Sequence, residues 1–366
     1  MAVKTAEEYY ESLKELHPVA YILGEKVKNP YDHPLIKHMV AGVAETYRLA
    51  HDPEGRKHLV AVSDLIEEEV SRFTKFYMSK EDLLAKVRML KFLTQRIGTC
   101  FMRCTGMDAI NAVGIETYNC YKKYGTPYWE RLQNFVRMVQ RQDLVVFSGV
   151  TDMKGDRALR PSEQKDPDLY VHVVDRSDEG IVVKGAKIHQ TGSMCAHWGL
   201  IVPTREMREE DRDYAVCFAL PTDAEGVIHV YGRGTLEARA LEGCDLGNVR
   251  YSKFAPMVIF NDVFVPWDNV FLCGEYEFAG QMVRNFGNYH RHSHGGCKSG
   301  VGDVLIGAAA TAAEYNGLPR VSHINHKLAE MVKTVEAIYG CSIAASVEGV
   351  PSESGIYDVD PVLSNA

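Results

Sequence analysis

The hydrophobic pattern of this 366-residue chain changes its period twice, and these changes restrict the order of its structural elements. Up to about residue 142, apolar residues recur every three to four positions, which is typical of amphipathic helices. From Asp143 to about residue 272, short segments rich in Val, Ile and Tyr alternate with Asp, Gly and Pro, which is typical of strands and turns. Helical spacing returns from Glu275. We therefore predict an α+β fold with a helical N-terminal domain (1–142), a central β-barrel-like domain (143–272) and a C-terminal helical domain (273–366).

Local signals mark the ends of several predicted helices. Thr5 and Glu8 have the spacing of a capping box. In the block that starts at Met107, Gly125 is placed to end one helix and Pro127 to begin the next. A helical, then β, then helical order is that of the acyl-CoA dehydrogenase architecture, in which a small β-barrel-like domain lies between two helical domains.

Composition excludes several classes of partner. The formal net charge is −8 and the pI is about 6.0, so no basic field favours nucleic acid or an anionic membrane surface. We find no apolar signal-peptide region and no run long enough to cross a membrane, and we expect a cytoplasmic protein. Nine scattered cysteines, an odd number, favour reduced thiols over a disulfide framework.

The stretch Asn285 to Gly302 concentrates histidine, cysteine and lysine around a glycine pair. His290 and Cys297 offer one nitrogen and one sulfur ligand. Gly295 and Gly296 have no Cβ, so we expect the backbone there to approach a bulky inorganic or organic group. This combination predicts half of a metal site.

The other half of that site is predicted at Cys100 and Cys104. Four residues apart, both thiols would lie on one face of a helix, although two buried core cysteines would give the same spacing. A mononuclear site built from His290, His292 and His294 is an alternative that helical geometry disfavours, because residues two apart do not face each other. We expect His292 and His294 to be solvated or to orient neighbouring ligands.

Two segments of the β region have polar residues where a flavin could bind. The loop Phe147 to Gln164 leaves a strand with several cations, which suit a phosphate or a flavin ring edge, but a solvated charged loop would look the same. The segment Lys187 to Trp198 ends a strand with donors that could bond the N5 and carbonyl edge of a flavin, or it is a polar hairpin end. No GxxxxGK[ST] loop occurs, so a flavin would need another mode of binding.

Five segments carry a family resemblance over the whole chain. They are similar to those of the 4-hydroxybutyryl-CoA dehydratases, the cluster-bearing branch of a flavin family that also holds the 4-hydroxyphenylacetate 3-hydroxylases. The segments are RIGTCFMRCTG, VTDMKGDRALRPSEQ, KIHQTGS, NYHRHSHGGCKSGVGDVLIGAAA and HINHKLAEMVKTVEAIYGCSIAASVEG. The resemblance implies that Cys100, Cys104, His290 and Cys297 bind a [4Fe-4S] cluster.

The same resemblance implies an FAD site and a set of catalytic residues. The FAD residues are Val150, Thr151, Asp152, Lys154, Gly155, Asp156, Arg157, Gln190, Thr191, Gly192 and Ser193. The catalytic residues are His290, His294, Lys298 and Thr191. The implied assembly is a homotetramer.

The implied reaction is the dehydration of an acyl-CoA thioester, 4-hydroxybutyryl-CoA, to crotonyl-CoA, with vinylacetyl-CoA isomerisation as a second activity. Its difficult step breaks the C3–H bond, which the carbonyl does not acidify, so the resemblance implies a transient radical formed with the flavin. Two alternatives stay open. One is a flavin-dependent 4-hydroxyphenylacetate 3-hydroxylase-type monooxygenase without a cluster, and the other is an inactive truncated relative.

Three features depart from the family pattern. His294 stands where a tyrosine is expected, and Ala255 stands near an expected glutamate, so the acyl-CoA substrate could differ. Family chains also continue past the last residue of this one with helices that carry an acidic catalytic residue and complete a neighbouring subunit's FAD site. We therefore expect the C-terminal domain to be incomplete.

Overall fold

The computed structural model of the chain describes residues 3–232 and 250–366. Cys244 lies outside these ranges. Among the described helices, none is long and apolar enough to cross a membrane.

Helices flank the β region on both sides in sequence. Before it, the chain forms α1 (Ala6–Lys14), α2 (Pro34–Ala50), α3 (Pro53–Leu59), α4 (Lys80–Ile97), α5 (Cys104–Tyr124) and α6 (Tyr128–Arg141). After it come α7 (Tyr276–Tyr315) and α8 (Ser322–Val347). The capping box of Thr5 and Glu8 is present, and Gly125 ends α5 with a φ of 68°. These helix-end predictions are confirmed.

The strands form two larger sheets and two small hairpins. The first third of the chain contributes β1 (Val19–Ile22), β2 (Glu25–Val27), β3 (Val60–Val62) and β4 (Glu69–Ser71). The central region contributes β5 (Val146–Gly149), β6 (His172–Arg176), β7 (Gly180–Lys187), β8 (Trp198–Ile201), β9 (Val216–Pro221), β10 (Val227–Tyr231), β11 (Met257–Pro266) and β12 (Val270–Cys273). Near the C-terminus lie β13 (Val350–Pro351) and β14 (Tyr357–Asp358).

The six-stranded sheet has the order β2-β1-β10-β11-β7-β6, and the four-stranded sheet has the order β12-β9-β8-β5. The β1–β10 and β5–β8 pairs are parallel, whereas the other pairs in these sheets are antiparallel. The rings of Phe218 on β9 and Phe260 on β11 meet edge to face at 5.9 Å, so apolar side chains of the two sheets share one core.

The predicted change to period 2 after Asp143 is confirmed, because β5 to β12 all lie between residues 146 and 273. The first third differs from its prediction, because it contains β1 to β4 as well as helices. Register explains why β1 forms: Val19 to Ile22 pair with Ile228 to Tyr231, so a partner more than 200 residues away supplies the hydrogen bonds.

The His- and Cys-rich stretch lies inside α7, a single helix of 40 residues. A Cβ on Gly295 would come within 1.5 Å of Ser342 Oγ on α8, and one on Gly296 within 2.6 Å of the Val87 carbonyl oxygen on α4. The prediction that this glycine pair brings the backbone close to a cofactor is therefore wrong. The glycines instead let α7 pack closely against two other helices.

Candidate cofactor and active site

The four residues predicted to bind the cluster line one cavity of about 210 Å³. They come from two parts of the chain separated by almost 200 residues. The full lining is Thr94, Gly98, Thr99, Cys100, Phe101, Cys104, Thr105, Thr191, Lys253, His290, His294, Cys297, Lys298 and Val301. All four predicted catalytic residues therefore line the same cavity, whereas Ala255 is absent from its lining and Lys253 is present.

Cys100 and Cys104 reach the cavity from a turn. Gly98, with a φ of 68°, ends α4, and Cys104 is the first residue of α5, so Cys100 lies in the connecting loop. The prediction that both thiols lie on one helix is therefore wrong. Met102 has a positive φ of 59°, and the thiols of Cys100 and Cys104 are within hydrogen-bonding distance of each other.

Two glycines allow the segment that carries Cys100 and Cys104 to pack closely against the β region. A Cβ on Gly106 would lie 2.0 Å from the Val146 carbonyl oxygen, so α5 begins in direct contact with β5. A Cβ on Gly192 would lie 2.6 Å from the Met102 carbonyl oxygen, and Gly192 also has a φ of 83°. Only glycine combines this conformation with this close approach. The contact brings Thr191 into the wall of the cavity.

One face of α7 forms the opposite wall. Cys297 and Lys298 follow His294 by three and four residues and His290 by seven and eight, so both lie on the face that carries these histidines. The rings of His290 and His294 meet at 4.5 Å. His292 points the other way, is fully buried, and bonds Ser346 Oγ on α8 at 2.8 Å. The prediction that His292 is solvated or orients a ligand is wrong, because it packs between two helices.

The cavity wall shifts the protonation of its thiols and of one imidazole. The hydrogen bond between the thiols lowers the pKa of Cys100 and, together with burial, raises the pKa of Cys104. Burial raises the pKa of Cys297 to about 12, so a metal would have to displace its proton. Burial, with the nearby His290 and Lys298, lowers the pKa of His294 to about 4, so its imidazole is neutral at pH 7.

Behind the cavity lies a buried polar cluster, which sequence reasoning missed. Asp108, on α5, accepts hydrogen bonds from His290 Nδ1 at 2.9 Å and from Ser293 Oγ at 2.9 Å. The Lys86 ammonium lies 2.7 Å from the same carboxylate, and both side chains are fully buried. The available signal was a lysine in the apolar stripe of α4, between Leu83 and Leu90, where a core residue is expected.

The two predicted flavin segments lie side by side. The backbone N–H of Ile188 donates to the Thr151 carbonyl oxygen at 2.8 Å, and Gln190 Nε2 donates to the same oxygen at 3.4 Å. Asp152 pairs with buried Lys187 at 2.8 Å, and Ser193 Oγ bonds His229 Nδ1 at 3.2 Å.

The predicted flavin residues differ in exposure. Asp152, Gln190, Gly192 and Ser193 are buried, Val150, Thr151, Lys154 and Thr191 are half-buried, and Gly155, Asp156 and Arg157 are exposed. The buried members position the backbone of the two segments, and the exposed members are free to meet a ligand. Their roles toward FAD stay predictions.

The donors and the size of the cavity suit a compact metal cluster. Three sulfur donors and one imidazole are ligands of iron–sulfur centres. A volume of about 210 Å³ is smaller than the roughly 300 Å³ at which ligand pockets usually begin. Within residues 3–232 and 250–366, no group of three or more His, Cys, Asp or Glu could hold a single metal ion. A cubane does not need such a group, because its ligands bind different irons.

Comparison with known proteins gives the family. The profile described as 4-hydroxyphenylacetate 3-hydroxylase N terminal matches residues 5–272, and its C-terminal counterpart matches residues 279–366. The 4-hydroxybutyryl-CoA dehydratase/vinylacetyl-CoA-Delta-isomerase of Clostridium aminobutyricum is 48% identical over 99% of this chain and 74% of its own length.

Solved structures agree with these matches. An oxygen-tolerant archaeal 4-hydroxybutyryl-CoA dehydratase from N. maritimus superposes with a TM-score of 0.95 at 44% identity, over 99% of this chain and 72% of its own. The FAD complex of a 4-hydroxyphenylacetate 3-monooxygenase oxygenase component gives a TM-score of 0.85 at 28% identity, over 99% and 75%.

An acyl-CoA dehydrogenase from Slackia heliotrinireducens shares the mixed helical and β fold at a TM-score of 0.50 and 14% identity, over 86% of this chain and 76% of its own. This match supports the predicted fold class at the level of the fold alone. Profiles that together match nearly the whole chain, and a relative at 48% identity, show that the chain belongs to the 4-hydroxyphenylacetate 3-hydroxylase family, in which it is similar to the 4-hydroxybutyryl-CoA dehydratases.

Proposed function

We propose that this chain dehydrates 4-hydroxybutyryl-CoA to crotonyl-CoA, isomerises vinylacetyl-CoA, and uses FAD and a [4Fe-4S] cluster. The observation that carries the proposal is the convergence of Cys100, Cys104, His290 and Cys297 on one small cavity. The 48% identical relative bears both activities in its name, and a more distant family structure holds FAD.

Different residues of the chain would bind the two cofactors. Cys100, Cys104, Cys297 and His290 would hold the cluster, and the segments 150–157 and 190–193 would hold FAD. When bound, the flavin supplies one-electron chemistry that weakens the C3–H bond, and the cluster supplies an iron Lewis acid for the departing hydroxyl.

The remaining wall residues would bind the thioester and move protons. The Lys298 ammonium and the Thr191 hydroxyl would donate to the thioester carbonyl, which stabilises the negative charge that develops when the C2 proton leaves. Once it no longer binds the cluster, His290 would be the base for a substrate proton. His294 is neutral at pH 7, so its imidazole can accept a proton, whereas the tyrosine expected at this position would donate one.

The first test is metal analysis. The full chain, purified anaerobically, is expected to contain about four irons and a matching amount of acid-labile sulfide per chain. Cys100→Ala should lose most of this iron. The matched control is Cys341→Ala, a half-buried cysteine on α8 that does not line the cavity, and it should keep its iron. Unchanged iron in Cys100→Ala would show that the ligand assignment is wrong.

The second test is turnover. Anaerobic incubation with 4-hydroxybutyryl-CoA should yield crotonyl-CoA, and vinylacetyl-CoA should yield the same product. An iron-free flavoprotein that hydroxylates 4-hydroxyphenylacetate with a flavin reductase would instead identify a monooxygenase. A folded protein with neither activity would identify an inactive relative.

A further inference from the structure

We propose that the buried pair Lys86–Asp108 sets the tautomer of His290, so that Asp108 is a positioning residue that leaves the Nε2 lone pair facing the cavity. The inference deepens the proposed function and rests on it in one respect, that His290 is taken as a metal ligand. The contacts among Lys86, Asp108 and His290 are present in the structure and involve only side chains of this chain.

The hydrogen bonds of Asp108 determine the direction of its bond to His290. Its Oδ1 accepts from Lys86 Nζ at 2.7 Å and from Ser293 Oγ at 2.9 Å. Its Oδ2 accepts from His290 Nδ1 at 2.9 Å and from the same Ser293 hydroxyl at 2.9 Å. An ionised carboxylate only accepts hydrogen bonds, so His290 Nδ1 must carry the hydrogen. In the neutral ring, Nε2 then has the free lone pair that a metal requires.

Lys86 holds the Asp108 carboxylate in place through their 2.7 Å contact. Its ammonium also donates to the Tyr289 carbonyl oxygen at 2.9 Å, which anchors the backbone next to His290. The rings of Tyr77 and Tyr289 lie 5.2 and 5.3 Å from the ammonium nitrogen. Burial lowers the pKa of Lys86, and the charge and hydrogen bond of the Asp108 carboxylate oppose that shift.

Stability alone is a weak explanation for such a pair. Burying two charges costs desolvation energy that their attraction often fails to exceed, and apolar replacements are frequently as stable. Asp108 lies one turn after Cys104 on α5 and bonds His290 on α7, so it connects the two helices that carry these proposed ligands. A role in orienting the His290 ring explains why the Lys86–Asp108 pair is buried at this position.

Asp108→Asn makes the idea testable, because Lys86 dictates how the new amide must turn. An ammonium can only donate, so the amide oxygen has to face Lys86 and the NH2 group has to face His290. His290 Nδ1 then becomes an acceptor, and the ring hydrogen moves to Nε2. In the double variant Lys86→Met/Asp108→Asn the amide is free to turn its oxygen to His290, which restores the original tautomer.

The measurement is solid-state 15N NMR of the full chain labelled with 15N-histidine, with His290→Gln to assign the signal. It is made on protein purified under reducing conditions with and without iron. The wild type should carry the hydrogen on Nδ1, Asp108→Asn on Nε2, and the double variant on Nδ1 again. Iron content should follow the same order, with at least a threefold loss in Asp108→Asn and recovery in the double variant.

The outcomes separate this inference from the proposed function. A wild-type ring protonated on Nε2, or a tautomer that Asp108→Asn does not change, would overturn the inference whatever the iron content. A wild type that binds no iron but shows the expected tautomers would refute the proposed cofactor and support the inference.

Two further variants guard against misfolding. Asp211→Asn removes an equally buried carboxylate that pairs with Arg160, away from the cavity wall, and it should leave the His290 tautomer unchanged. If Asp108→Asn does not fold, Lys86→Met/Asp108→Leu is compared with Lys86→Met/Asp108→Asn. The leucine variant lacks any acceptor for Nδ1 and should lose the tautomer preference. The same tautomer ratio in both would overturn the inference.

Discussion

Burial in the interior of this protein shifts the pKa of the Glu116 carboxyl group. It lies on α5, is 2% exposed, and accepts a hydrogen bond from Asn285 Nδ2 at 2.8 Å. Burial raises its pKa to about 7, although hydrogen bonds from Asn119 and Asn285 oppose that rise. Because the folded pKa lies above the unfolded one, the contribution of this group to stability is present at low pH and is lost as the pH rises through 7.

Glu116→Gln is therefore expected to be more stable, relative to the wild type, at pH 8 than at pH 5. The amide keeps the acceptor for Asn285 but cannot ionise, so the free energy of unfolding of the variant relative to wild type should rise by about 2 kcal/mol over this interval. Urea unfolding at both pH values measures the difference. Glu353→Gln, at an exposed position, is the control and should show no such trend. The same difference in unfolding free energy between Glu116→Gln and wild type at both pH values would contradict the raised pKa of Glu116.

At the scale of the element, α7 combines two functions on two faces. One face presents the proposed ligands to the cavity, and the other faces pack on α4 and α8 through glycines. A Cβ on Gly296 would lie 2.6 Å from the Val87 carbonyl oxygen and 2.9 Å from Leu90 Cβ, whereas nothing lies within 4 Å of a Cβ on Gly307 in the same helix.

Gly296→Ala should destabilise the fold by about 1–2 kcal/mol, because overpacking outweighs the gain in helix propensity. Gly307→Ala gains that propensity without a clash and should stabilise the fold by up to about 1 kcal/mol. Urea unfolding of both variants measures the contrast. Equal stability of the two would show that α7 and α4 are not in close contact at Gly296. A loss of iron in Gly296→Ala alone would further tie this packing to the cavity.

At the scale of the whole molecule, the cavity joins the loop after α4, the turn before β8 and the middle of α7. A cluster held by the first and third of these would crosslink the two helical regions. Ligand binding to the folded state stabilises it, and a metal site does not exist in the unfolded chain.

Removal of iron should therefore lower the melting temperature by about 5–10 °C. Anaerobic calorimetry before and after chelation measures this shift. Cys100→Ala should melt near the temperature of the chelated wild type and should not respond to the chelator. A wild type whose melting temperature is unaffected by loss of its iron would show that the metal does not link these segments.

The mixed helical and β fold and the residues that line the cavity were predictable because they depend on local patterns and on motifs. Period 2 located the central strands, and capping residues located helix ends, since both reflect interactions within a few residues. The strand β1 was missed because its hydrogen-bond partner is β10. The role of Gly296 was missed because a glycine gives the same signal in sequence whether its missing Cβ makes room for a cofactor or for another helix.

The sequence by itself determined the types of donor available, the order of helical and β regions, and the family to which the chain belongs. Only the tertiary structure decided that Cys100 lies in a turn and that His292 faces α8. It also placed the buried Asp108 and Lys86 behind His290. The physical reason is that hydrogen-bond direction, burial and charge pairing belong to groups that meet in space, and the residues that meet at this site are almost 200 positions apart along the chain.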